Sequence, residues 1–67
     1  MKHRGSVTYF NESKGYGFIR DDEGREFFVH HSAIQADGFR TLNQGEMVEF
    51  EPIVGQRGRH AANVVKV

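Results

Sequence analysis

No window of a dozen residues in this chain repeats apolar side chains at the i, i+3, i+4, i+7 spacing of a helix face. The apolar residues fall instead into short runs separated by eight glycines. A helical core is therefore not expected, and the runs read as five strands. Their approximate spans are Gly5–Asn11, Tyr16–Asp21, Glu26–His30, Met47–Ile53 and Ala61–Val67. Asp21-Asp22-Glu23-Gly24-Arg25 suits a hairpin loop between the second and third strands. His31-Ser32-Ala33-Ile34-Gln35 has room for one helical turn, and Ala36–Glu46 reads as a long loop. Pro52 lacks the amide proton a ladder needs, so the fourth strand is expected to end or bulge there. Gly55-Gln56-Arg57-Gly58-Arg59 reads as a basic, glycine-bounded loop. Short strands without crossover helices predict an all-β, five-stranded antiparallel fold, and closure into a barrel removes exposed edges.

Sixty-seven residues hold a single domain, expected to span 1–67, with little core to stabilise it. With no cysteine, neither disulfides nor thiolate-bound zinc can reinforce it. No apolar run reaches the ~20 residues of a membrane span, and no secretory signal follows Met1-Lys2-His3-Arg4-Gly5. A cytoplasmic location is the expectation. Nine Lys and Arg balance nine Asp and Glu, which argues against a partner held by bulk charge. The balance is uneven along the chain. Residues 1–20 and 53–67 each carry +3, while residues 21–26 and 41–52 each carry −3. The acidic runs, Asp21-Asp22-Glu23 and Glu46, Glu49, Glu51, read as solvated turn and strand faces. Val48 and Phe50 would then point inward.

Strand alternation sets Tyr16, Phe18 and Arg20 on one face of the second strand, and Gly17 and Ile19 on the other. In the third strand Glu26, Phe28 and His30 oppose Phe27 and Val29. Ile19, Phe27 and Val29 carry no polar side-chain atoms and are assigned to the core, because Arg20, Glu26 and His30 would be costly to bury. That leaves the rings of Tyr16, Phe18, Phe28 and His30 clustered in solvent. An exposed apolar patch marks a binding surface, and flat rings stack on bases for about 1–3 kcal/mol each. The pattern suits a binder of single strands.

Lys14-Gly15-Tyr16-Gly17-Phe18-Ile19 matches the start of the ribonucleoprotein-1 pattern, with isoleucine in place of valine. The pattern breaks at its last place, where Asp21 replaces an aromatic residue. An RNA-recognition-motif domain would need two helices and an earlier aromatic strand. Here the second aromatic strand, Phe27-Phe28-Val29-His30, follows the first, and that order resembles the cold-shock domain. The likeness extends through Ser32-Ala33-Ile34, Gly38-Phe39-Arg40-Thr41-Leu42, Arg57-Gly58 and Ala61-Ala62-Asn63-Val64, essentially the whole chain.

This resemblance implies a barrel of the oligonucleotide-binding type that binds single-stranded RNA and DNA as an RNA chaperone. It implies that Tyr9, Tyr16, Phe18, Phe28, His30, His31 and Phe39 stack on bases. Asn11, Lys14, Arg40, Arg57 and His60 would contact bases or phosphates. No cofactor, metal, membrane or small-molecule substrate is expected, and the chain is expected to be a monomer, with a strand-exchanged dimer as the alternative. Four places depart from the family pattern. Tyr9 stands for tryptophan, His31 for phenylalanine, Thr8 for lysine and Arg59 for proline. Simple alternation also puts Tyr9 on the side of Val7, so a twist or bulge must turn it outward.

Other classes fit less well. His30 and His31 are adjacent and would diverge on an extended chain, a poor geometry for a metal. No carboxylate–histidine–nucleophile set stands out, so no enzyme is expected, although RNA cleavage by His30 and His60 is conceivable. A peptide-binding barrel with exposed aromatics is the alternative binding module.

Overall fold

The five expected strands form, and they close into a barrel. The computed structural model describes residues 2–35, 41–56 and 58–67. Strand β1 runs His3–Asn11, β2 Tyr16–Asp21, β3 Glu26–His30, β4 Met47–Gly55 and β5 Gly58–Lys66. Around the barrel the order is β1-β2-β3-β5-β4. Every neighbouring pair is antiparallel except β3 and β5, which run parallel and meet at one pair, Phe28 opposite His60. A separate parallel bridge joins Ile34 to Val64. His31–Ala33 forms the single helical turn, of 3-10 type.

Three boundaries differ from expectation, each because of a long-range neighbour. β1 starts at His3, since β4 runs beside it and pairs Phe50 with His3. β4 and β5 stay paired out to Gly55 and Gly58, so most of the stretch read as a basic loop is strand. β4 also continues through Pro52, which pairs with Ala61. Its pairing with β1 stops at Phe50, leaving one edge open where a proline is tolerated. The irregularity lies just before it, between Glu49 and Glu51.

The interior is Val7, Ile19, Phe27, Val29, Ile34, Leu42, Val48, Phe50, Ala61 and Val64. Ile19, Phe27 and Val29 point inward as the alternation required. Phe27 and Phe50 meet at the centre with ring centroids 5.0 Å apart. Burying each such side chain contributes about 1.5–3 kcal/mol. Leu42 joins this core from a segment that the sequence pattern leaves in a loop. Val48 and Phe50 are buried while Glu49 and Glu51 stay half-exposed, so those carboxylates face away from the core.

The acidic hairpin turn holds a correction, because Asp21 is buried, with its side chain wholly covered. Its Oδ1 accepts from the amides of Glu23 and Arg25 at 3.0 and 2.8 Å, and its Oδ2 from Arg25 Nε at 3.1 Å. Burial pushes this carboxyl up. The amides of Arg25 and Glu23 and the Arg25 guanidinium outweigh that and hold it below its ordinary value. A depressed carboxylate contributes stability that is complete above the ordinary value of 3.8 and disappears as pH falls through the lowered one. Asp21→Asn is therefore expected to cost about 1.5–3 kcal/mol in urea unfolding near neutral pH. The gap from wild type should narrow as pH falls below 3.8 and close once the wild-type carboxyl is also neutral. A gap independent of pH would assign Asp21 a purely steric role.

Candidate nucleic-acid interface

A bulge in β1 sets the face. Val7 pairs with Ile19, but Tyr9 pairs with Phe18, so Thr8 is the extra residue. Its hydroxyl donates to the Phe18 carbonyl at 3.3 Å. Val7 is consequently buried while Tyr9 stands 46% exposed, which resolves the conflict in the simple alternation. The displaced Val7 backbone finds partners in the loop before β4, with its amide on the Glu46 carbonyl and its carbonyl on the Gly45 amide.

The outward residues then form rows across the barrel. In one row Tyr9 lies opposite Phe18, Phe18 opposite Phe28, and Phe28 opposite His60. In the next, Asn11 lies opposite Tyr16 and Tyr16 opposite His30. Neighbouring strands are about 4.8 Å apart, which matches the reach needed for ring-to-ring contact. Tyr16 and Phe28 stack with centroids at 5.7 Å, and Phe18 meets Phe28 edge-on at 6.0 Å. Phe28 is the hub of the cluster. Arg20 and Glu26 follow on the same face and end it with an ion pair at 3.1 Å.

Local turns position the remaining groups. Asn11 Oδ1 accepts from the Lys14 amide at 3.0 Å, and its Nδ2 donates to the Tyr9 hydroxyl at 3.1 Å. Asn11 therefore both shapes the turn and fixes a ring. Gly15 sits at φ +76, a conformation glycine adopts freely. A Cβ there would also come within 2.6 Å of the His31 ring. The His31 amide donates to the Gly15 carbonyl at 2.8 Å, so the imidazole rests on that turn. His30 Nδ1 accepts from the Ser32 amide at 3.3 Å and lies 2.9 Å from the Ser32 hydroxyl. Because the chain turns at His31, the two imidazoles do not diverge as an extended chain would require. Their centroids are 4.3 Å apart. Among the described residues no group of three His, Cys, Asp or Glu side chains is placed to hold a metal.

The structure thus gathers Tyr9, Asn11, Tyr16, Phe18, Phe28, His30 and His60 on the two rows, with Lys14 and His31 at their end. Phe39, Arg40 and Arg57 lie outside the described residues. Several cations are already engaged: Arg4 with Glu49, Arg20 with Glu26, Arg25 with Asp21 and Glu23, and Lys66 with Glu46. Lys14 and Arg59 pair with no carboxylate among the described residues. The sequence reading also missed a groove between β3 and β5, walled by Phe28, His30, Ser32, Arg59 and His60 and floored by small residues such as Ala61. Only the nonlocal meeting of β3 with β5 creates it, and neither strand alone signals it.

A closed five-stranded barrel with rings ranged across three adjacent strands belongs to the oligonucleotide-binding class of folds. The chain belongs to the cold-shock domain family, since residues 3–67 match the family model described as "'Cold-shock' DNA-binding domain". It is 55% identical over 64 residues to Cold shock protein CspB of Bacillus caldolyticus, covering 96% of this chain and 97% of that one. Identity to Cold shock-like protein CspE of Escherichia coli K12 is 54% over 65 residues, covering 96% and 94%. A solved structure titled drosophila Unr CSD456 superposes with a TM-score of 0.80 at 22% identity, over all of this chain and 27% of that one, a likeness of fold. Proteins of this family bind nucleic acid and are not enzymes. No described helix is long and apolar enough to cross a membrane.

Proposed function

We propose that the protein is a cytoplasmic, monomeric RNA chaperone that captures unpaired RNA or DNA by stacking bases on the two rows of rings. The observation that carries this reading is the outward ring cluster of Tyr9, Tyr16, Phe18 and Phe28 on a barrel whose core is complete without it. Capture needs no chemical step. Binding the open form shifts a fluctuating duplex toward single strands by mass action, without ATP. Released transcripts stay open for translation or for continued transcription. Rings accept every base, so sequence preference should be modest.

The chain supplies its own probe. It has two tyrosines and no tryptophan, and both tyrosines lie on this face. Micromolar pyrimidine-rich oligonucleotide is expected to quench tyrosine fluorescence, and a proline-rich peptide is not. The reverse result would favour the peptide-binding module and overturn the reading. With few unpaired cations near the rows among the described residues, the slope of log affinity against log salt near pH 8 should be no steeper than about −2, at ~0.7 per phosphate on single strands. A much steeper slope would shift the weight from stacking to charge.

A further inference from the structure

Phe28 is packed on one side and open on the other. Toward β2 its ring meets Tyr16 and Phe18, and toward β5 it faces the groove. That groove exists because β3 and β5 pair at Phe28 and His60, and the chain meets β5 again only at Ile34 and Val64. Between those two points the strands part. The space holds about 460 Å³, within the range of pockets that take small ligands. Ala33, Ala61 and Ala62 line it without bulk, and the exposed Arg59 stands at its wall.

A groove treats a base differently from a flat ring. A base stacked on a ring keeps its edges in water, so stacking tolerates every base. A base held between walls brings its edges to the side chains there, and those side chains decide which base fits. Asn and Gln are the usual partners of adenine, and Asp and Glu those of cytosine. None of these four residue types lines the groove. Ser32 and His30 are engaged with each other, the amide donating to Nδ1 at 3.3 Å and the hydroxyl lying 2.9 Å from it. Arg59 makes no ion pair among the described residues, so its guanidinium retains its donors. A guanidinium presents them as a planar fork with no acceptor. Guanine alone offers two acceptors side by side on one edge, O6 and N7. The alanines suit a thymine methyl, but thymine gives the fork only one acceptor on that edge.

We infer that Arg59 makes one position of the captured strand selective for guanine: a base beside Phe28 enters the β3–β5 groove, and the Arg59 fork donates to its O6 and N7. This selectivity rests on the single-strand reading above and adds to it one position that is read as well as held. The ring rows remain tolerant. Arg59 is among the places where the chain departs from the family pattern, so the selectivity belongs to this sequence and not to the fold.

Thymidylate heptamers carrying a single guanine at each position in turn, competing with labelled heptathymidylate, test this directly. At the best position guanine is expected to tighten binding about tenfold over heptathymidylate, as one bidentate arginine–guanine pair provides. Substituting 7-deazaguanine there keeps the ring area and the Watson–Crick edge but removes the N7 acceptor, and most of the gain should vanish. Arg59→Gln changes an exposed residue outside the core, so the variant should melt as wild type does. Its ratio of guanine-heptamer to heptathymidylate affinity should fall to about one. No gain at any position would overturn the inference. So would an equal gain at every position, which is the signature of purine stacking area, or a gain that survives 7-deazaguanine or Arg59→Gln. If no heptamer binds at all, the single-strand reading itself fails.

Discussion

Replacing Phe28 with alanine is expected to weaken single-strand binding by about 1–3 kcal/mol, roughly five- to 150-fold, while the barrel stays folded. Two features make it the most sensitive ring. It contacts both Tyr16 and Phe18, so its loss also leaves those two unsupported. It is 38% exposed and stands outside the buried cluster formed by Phe27 and Val29 on either side of it. Phe18→Ala should give a smaller loss in the same direction. The check is an oligothymidylate titration paired with a thermal melt. A Phe28→Ala protein that fails to fold would place the ring in the core and reverse the assignment of faces.

The second large effect is expected at Gly17, and it concerns the fold. A Cβ at this position would run into the Tyr9 carbonyl oxygen, and it would lie 2.7 Å from both Phe10 Cα and its ring. Two of these obstacles are backbone atoms of β1, which cannot turn aside as a long side chain does. Gly17→Ala should therefore push β1 and β2 apart at Phe10, beside the bulge that exposes Tyr9. Overpacking of this kind costs about 3 kcal/mol. In a domain of this size that is about 12–24 °C in melting temperature, a large share of total stability. A melt within a few degrees of wild type would mean that the strands can separate at little cost.

The β2–β3 hairpin was legible almost completely from sequence. Both strands carry their own inside–outside alternation, and Asp21–Arg25 sits between them as a turn. The pairing of Phe18 with Phe28 and of Tyr16 with His30 follows from those two local facts. The outward turn of Tyr9 was legible only as a conflict to be resolved, and Thr8 is the residue that resolves it. What stayed hidden depends on partners distant in sequence. Leu42 looks like any loop residue until the barrel closes beneath it, and Pro52 looks like a strand end until β1 stops short of it. The start of β5 was set too late because glycines at 55 and 58 suggested a loose loop, whereas they pair with each other across the β4–β5 ladder. The contact between His30 and His31 was missed for a different reason. Extended-strand alternation stops at His30, where β3 ends and the 3-10 turn begins at His31.

Burial of Asp21 carries a similar lesson. Three acids in a row suggest solvent, yet the first of them serves as the internal acceptor around which Glu23 and Arg25 fold back. Net charge per segment could not distinguish that residue from its exposed neighbours Asp22 and Glu23.

The single pair joining β3 to β5 has a mechanical meaning beyond topology. It is the narrowest seam in the barrel's hydrogen bonding, and its two members, Phe28 and His60, are also consecutive members of the ring row. A strand captured as proposed would cross the seam and work as a clasp over it. The surface proposed to receive it does not exist in the open chain, because its residues come from β1, β2, β3 and β5 and converge only on closure. Occupancy and folding must then rise together, with about 2.7 kcal/mol of added stability at a hundredfold excess over the dissociation constant. A barrel this small can thus be loosest where it is empty and firmest while it holds its cargo.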